Sequence, residues 1–504
     1  MELELNRTHL TGYRTVLDTT VFQEETLETI VPDACPDILR LIETRGELLL
    51  KGKTASDGRA ALNGTARLTV LYLPEGGTGP CHLEVSIPFQ MMIEGSDVRT
   101  GCQITAAVRL AGADTRTMNP RKIVTRVELA AHVKAFAPCA DALCTGISAA
   151  QGAVEQLLET HQPCCIAAVL EKQFSFEEEL VIPAGRPSAE QILASRAEPV
   201  CLEFRIIGNK LIFKGEVSVR LLCRAEDGEL SAVDFSLPIS QIMEVTGVGE
   251  SASAHMELSL TGAEFVLGGD GRTVAASLSI LAQAEVWEER SVTVLTDAYS
   301  TCAALRTQCA PYEYQIHQGD GTGRQAVREV IETGMQIRSV IDAYCVVGRM
   351  EQSREGDELR LNAQVTAAAL CVTEDGEYCA VCRSFQVCCA VEARQGSECR
   401  FSCRCSEVIA VPAADGVEVR FAVEFPYDLL QTASVTVIRD AAAQEDEEEN
   451  VSRPSLVLRV MGDGERLWDV AKRYGTTVDD IVRANELESG QPECGTLLLI
   501  PRKR

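Results

Sequence analysis

Basic residues are what this 504-residue chain has too few of: 47 Lys and Arg stand against 74 Asp and Glu, for a formal net charge of -27. A phosphate backbone is met with clustered Lys and Arg, so this balance excludes a nucleic-acid binder and electrostatic docking on anionic lipid. Long apolar runs are missing as well. No uncharged stretch approaches the roughly 18–20 residues that span a bilayer. The opening Met1-Glu-Leu-Glu-Leu-Asn6 has no basic segment followed by an apolar one, so no secretory signal is read there and the cytosol is the default expectation. Catalytic constellations are absent too. The six histidines, His9, His82, His132, His161, His255 and His317, form no His-Glu-x-x-His or paired motif. Gly319-Asp-Gly-Thr-Gly-Arg324 lacks the Gly-Lys-(Ser/Thr) ending of a phosphate loop and reads as a loop before a helix. There is no Gly-x-Ser-x-Gly elbow, and the many paired carboxylates are what an acidic surface supplies by chance. No enzyme and no cofactor are expected.

What is present is apolar material, 46% of residues, enough for packed cores and too much for one. At about 100–200 residues per domain the length predicts three or four domains. Most of the chain reads as short strands rich in Val, Ile, Thr and Leu: Leu48–Lys51, Ala66–Tyr72, Ile104–Leu110 and Ile123–Val133. Asp57-Gly58, Glu75-Gly76-Gly77 and Asn119-Pro120 are the turns between them. The pattern recurs at long range. Val70-Leu-Tyr-Leu-Pro-Glu-Gly-Gly77 returns as Leu221-Leu-Cys-Arg-Ala-Glu-Asp-Gly228 and as Ala369-Leu-Cys-Val-Thr-Glu-Asp-Gly376, each a strand entering an acidic-Gly turn. A strand with an aromatic follows each: Ile87-Pro-Phe89, Phe235–Pro238 and Phe385–Val387. The spacing of roughly 150 residues is domain-sized, so three copies of a duplicated β domain are expected. Short helices are predicted at Pro36–Ile42, at Ser188–Ala194 with Ser188 as N-cap, and at Arg324–Glu332. Gly152–Glu159 is compatible with helix or strand.

The 21 cysteines, in a long chain with no secretory signal, read as reduced thiols used as small core residues. The third copy concentrates them. Cys379-x-x-Cys382 with Cys403-x-Cys405 supplies four thiols of a type that binds Zn²⁺, but alternation along a hairpin sends neighbours to opposite faces, and no metal is assigned. Tyr13, Tyr72 and Tyr299 are candidates for oxidative cross-links or plain core aromatics.

Gln444–Asn450 is an acidic run that reads as a linker, 441–454. Beyond it the order is strand (Leu456–Val460), helix (Leu467, Val470, Ala471, closed by Tyr474-Gly475), helix (capped by Thr477, with Val478, Ile481 and Val482), and strand (Leu497–Ile500). The run Gly464–Asn485, continuing to Leu499-Ile-Pro501, resembles a LysM domain. The resemblance implies a βααβ fold that binds N-acetylglucosamine-containing glycan in a shallow groove between two loops. Here these are Gly464, Glu465, Arg466 and Leu467 on one side and Asn485, Glu486 and Leu487, with Glu488, on the other. Arg466 stands where the family carries a small hydroxyl residue, and Cys494-Gly495 where it carries Pro-Gly.

Val31-Pro-Asp-Ala-Cys-Pro-Asp-Ile-Leu39, with the strand and turn at Leu71-Tyr72 and the step at Ile87-Pro88-Phe89, resembles the opening of the SPOCS domain of spore coat assembly proteins. The resemblance is clearest in the first copy and weakest in the third. The expected architecture is mainly β: three tandem β-sandwich or barrel-like repeats at 1–165, 166–310 and 311–440, the acidic linker, and a LysM module at 455–504. The combination is similar to the SpoIVA-interacting spore coat morphogenesis proteins of clostridia. It implies a scaffold in the mother-cell cytoplasm, at the forespore surface or in the coat, that binds the polymerising coat ATPase (SpoIVA-like). The alternative it implies is a peptidoglycan binder acting through LysM.

Overall fold

The computed structural model describes residues 3–77, 79–149, 154–444, 455–487 and 492–501. Its described part is mainly β, with 23 strands and two helices, both near the C-terminus. The same succession of strands occurs three times. First come β1 (Leu3–Ile30), β2 (Ile38–Ser56), β3 (Arg59–Pro74), β4 (Cys81–Glu94), β5 (Gln103–Asn119) and β6 (Lys122–Ala149). The second succession has its two long strands each in two pieces: β7 (Val154–His161), β8 (Cys164–Val181), β9 (Ala189–Ile207), β10 (Lys210–Ala225), β11 (Leu230–Glu244), β12 (Ser253–Leu267), β13 (Thr273–Glu289) and β14 (Val292–Ser300). The third is β15 (Ala304–Glu332), β16 (Ile337–Glu355), β17 (Glu358–Thr373), β18 (Tyr378–Glu392), β19 (Ser397–Phe401), β20 (Arg404–Ala413) and β21 (Gly416–Gln444).

In each succession the middle strands form an antiparallel meander, β2-β3-β4, β9-β10-β11 or β16-β17-β18, and the outer ones pair with each other. Strict alternation drives this. Along β3 the odd and even positions divide cleanly, with Ala60, Leu62, Ala66, Leu68 and Val70 all buried on one face. That face packs on Ile123, Val127, Leu129 and Val133 of β6 to make one core, and the other two successions build equivalent cores. The central strands β3, β10 and β17 end at the three acidic-Gly turns, where Gly76, Gly228 and Gly376 take φ of 68°, 86° and 81°, a region that side chains with a Cβ enter at a cost.

The three segments expected to be helical are strands. Ile38–Ile42 opens β2, Ala189–Ala194 opens β9, and Arg324–Glu332 ends β15 in unbroken register with β21. At the first two, bulges are the reason: the β2–β3 register slips between Ile38 and Arg40 and again between Leu41 and Glu43. A bulge shifts alternation by one residue, so inward-facing Ile38, Leu41 and Ile42 acquire helix-like spacing. The β9–β10 pairing slips in the same region, opposite Leu222/Cys223 and Arg224/Ala225. Gly319–Arg324, expected as a loop, lies within β15 just past a bulge between His317 and Gly319. Val154–Glu159 belongs to strand β7, and residues 152–153 lie outside the described residues. Ala441–Gln444, expected to open the linker, end β21, and 445–454 lie outside the described residues.

The three meanders meet at Leu71, Leu222 and Leu370, which occupy the same register position on β3, β10 and β17 and share one cluster with Leu193 and Ala194. Two residues earlier along each central strand, the cross-strand partners are Arg45, Arg196 and Tyr344. Both guanidinium groups lie over the Tyr344 ring, 5.1 and 5.2 Å from its centroid. Tyr344 donates to Glu43 at 2.6 Å, and Asp342 pairs with Arg45 and Arg220. At the other end, three two-stranded ribbons pack together through Leu143 of β6, Val292, Val294 and Leu295 of β14, and Tyr312, Val437 and Ile438 of β15 and β21.

Candidate functional site

The C-terminal module is β22 (Leu456–Val460), α1 (Leu467–Tyr474), α2 (Val478–Ala484) and β23 (Leu497–Pro501), with β22 and β23 antiparallel. The sequence signals act as read. Gly475 closes α1 at φ 65°, and the Thr477 hydroxyl accepts from Asp480 N at 3.0 Å to cap α2. Met461, Leu467, Val470, Ala471, Ile481, Leu498 and Ile500 form its core.

In the two loops expected to frame a groove, the side chains of Glu465, Arg466, Leu467, Asn485 and Leu487 are engaged within the module. Glu465 receives Arg459 Nη2 at 2.6 Å and Gly462 N at 3.2 Å. Arg466, exposed at the start of α1, forms two bonds of 3.1 Å with Asp469, an arrangement that lowers the carboxyl of Asp469 through the hydrogen bond. Leu467 is buried, and Leu487 packs against the core. Asn485 is spent entirely on joining α2 to β23: its Nδ2 donates to the carbonyls of Ile481 and Leu499 at 2.8 and 2.7 Å, and its Oδ1 accepts from Leu499 N at 2.6 Å. Gly464 and Glu486 are exposed, both at positive φ, 69° and 50°. Glu488 lies outside the described residues.

Two features of the module were not singled out from the sequence. The first is the outer face of its sheet. Leu456, Leu458, Val460 and Leu497 are 57%, 67%, 56% and 60% exposed. Register pairs Leu458 with Leu499 and Val460 with Leu497, so these side chains form one contiguous apolar face rather than scattered residues. The second is that α1 rests on the β7–β14 ribbon. Trp468 Nε1 donates to Asp297 Oδ2 at 2.8 Å, and Lys472 Nζ lies 2.6 and 2.8 Å from the two oxygens of that carboxylate. Tyr299 meets the Trp468 ring edge-on at 4.9 Å, and its hydroxyl donates to the Thr476 carbonyl at 2.8 Å. Tyr299 is therefore a buried contact of this junction. Tyr72 is likewise internal, donating to the Pro36 carbonyl.

The four cysteines weighed for zinc are not brought into one site. Cys379 is buried opposite Cys371 across β17–β18, whereas Cys382 is exposed. Burial pushes the Cys403 thiol up to about 12 and raises that of Cys379, as expected of thiols packed in a core. Among the described residues, the one group of His, Cys and carboxylate ligand atoms within 4.8 Å of one another is His317, Asp320 and Asp428, on the surface of the β15–β21 pair.

Comparison with known families agrees with this anatomy. Residues 463–501 match the LysM domain. Residues 188–266, running from β9 through β12, match the SipL, SPOCS domain. The chain thus carries a SPOCS domain followed by a C-terminal LysM domain, and the SPOCS match falls in the second succession of strands, not in the first, where the sequence resemblance is clearest. SPOCS points to a sporulation-related protein-interaction role, LysM to glycan binding, and neither family is known for enzymes. No curated protein and no solved structure matches the chain. No helix among the described residues is long and apolar enough to cross a membrane.

Proposed function

We propose that the chain is a non-enzymatic scaffold of spore coat assembly, anchoring coat at the forespore surface by binding the polymerising coat ATPase through its LysM module. The observation that carries this reading is the apolar outer face of the β22–β23 sheet. Sugar hydroxyls are recognised by polar groups, and the polar side chains of the expected groove, Glu465, Arg466 and Asn485, already have partners inside the module. Four exposed Leu and Val side chains suit a protein surface instead, where an apolar centre is ringed by polar residues. Three copies of a SPOCS-like β domain form the platform. Strand pairing supports starting the second copy at Val154, because β7 pairs with β14, and the third at Ala304, because β15 pairs with β21.

Binding of N-acetylglucosamine polymer is the second reading, favoured by the LysM match and by the exposure of Gly464 and Glu486. Co-sedimentation of the intact chain with polymerised ATPase, beside pull-down on insoluble chitin, separates the two. The scaffold reading predicts capture by the ATPase polymer and none by chitin; capture by chitin alone overturns it.

A further inference from the structure

The junction between α1 and the β7–β14 ribbon shows what the α1 face accepts. Its centre is a carboxylate held by two donors, Trp468 Nε1 and Lys472 Nζ, and two residues along the same strand an aromatic ring lies against Trp468. A bulge between Leu295 and Asp297 shapes the strand for this. It carries Leu295 and Ala298 into the ribbon core and leaves Asp297 and Tyr299 toward the module. Among the described residues the contacts that define the junction are Leu157, Asp297 and Tyr299 on one side and Trp468, Lys472 and Thr476 on the other. Its ionic centre is not sealed, with the Lys472 side chain 43% exposed, so salt weakens it. Its two halves belong to one chain, so the contact forms without the cost of bringing separate molecules together.

We propose that the Trp468–Lys472 face of the LysM module is a protein-docking surface that the chain's own Asp297-Ala298-Tyr299 strand occupies at rest, and that a partner strand with a carboxylate two residues before an aromatic takes its place. This extends the reading of the module as a partner-capturing element by adding a second, internally guarded face to the open sheet face. The readouts below involve no coat protein. Failure here leaves that reading standing, and failure of ATPase capture leaves the guarded face standing.

The test uses the full chain with Trp287→Phe, which leaves Trp468 as the sole tryptophan. Acrylamide quenching of Trp468 is compared in this background, with Asp297→Lys added, and with the reversed pair Asp297→Lys/Lys472→Asp, each checked by circular dichroism and gel filtration. Lys472→Asp alone breaks the same contact from the module's side should Asp297→Lys misfold. Quenching is expected to rise severalfold in either single variant, to return toward the starting value in the reversed pair, and to rise with salt in the unmodified contact. A labelled peptide of sequence Leu295-Thr-Asp-Ala-Tyr-Ser-Thr301 is then titrated onto both chains. It is expected to bind the Asp297→Lys chain at least about tenfold more tightly, because the tethered competitor has been removed. Unchanged quenching in both single variants overturns the guarded face, and equal or absent peptide binding in the two chains overturns the partner chemistry.

Discussion

Two guanidinium groups, those of Arg45 and Arg220, share the carboxylate of Asp342, whose side chain is 1% exposed. Burial acts to raise this carboxyl; the two arginines more than offset it and hold it below its ordinary range. Asp342→Ala takes a buried partner from both cations, leaving Arg45 with Glu43 and Arg220 with the more exposed Asp234, and a loss of about 3 kcal/mol is expected in chemical denaturation. Because the folded carboxyl titrates below the unfolded one, its stabilisation is complete above the unfolded value near 3.8 and disappears as the pH falls through the folded one. The stability gap between wild type and Asp342→Ala should therefore narrow below about pH 4 and stay constant from about pH 5 to 7. Asn485 makes a second prediction. Its three bonds hold the end of α2 to β23, so Asn485→Ala is expected to cost about 2–3 kcal/mol. Faster amide exchange at Leu499, with β3 and β10 unaffected, would show the loss is confined to the module. Neither role was legible from the residue alone: Asn485 was read as groove rim, and nothing local marks Asp342, whose partners lie on β2 and β10.

At the scale of elements, the sequence was most legible where one rule acted alone. The central meander strands β3, β10 and β17 alternate over most of their length, and the three acidic-Gly turns require glycine at positive φ, so both were visible as a repeat. Gly376, at φ 81° with open space where a Cβ would sit, isolates the backbone effect. Gly376→Val is expected to lower stability by roughly 1–2 kcal/mol through strain in the left-handed region. The LysM helices were legible through Gly475 and Thr477. The three misread segments failed where alternation was broken or hidden: bulges opening β2 and β9 mimic helical spacing, and Val327, Val330 and Ile331 of β15 sit at helical intervals although each pairs in register with β21. On β22 the signal was present but not drawn out. In Leu456-Val-Leu-Arg-Val460 three apolar residues alternate onto one face while Val457 turns to the core and Arg459 to Glu465, so the more apolar face is the one left outside.

The whole molecule depends on register between distant strands. That Leu71, Leu222 and Leu370 converge, and that Arg45 and Arg196 flank Tyr344, follows from three meanders meeting at one place, which no local pattern encodes. The same holds for the seat of the LysM module on the second ribbon. The surplus of 27 negative charges sets copies of such a body against one another, and the proposed function places recognition on a confined apolar surface, the β22–β23 face. The most direct test of that claim is the affinity of the full chain carrying Leu458→Glu and Val460→Glu for the polymerised coat ATPase. Both side chains are more than half exposed, so the fold should keep its stability to within about 0.5 kcal/mol per substitution. A loss of at least about a hundredfold in affinity with an unchanged unfolding midpoint is the predicted result, equivalent to about 2.7 kcal/mol. Wild-type affinity in the doubly substituted chain would contradict the account.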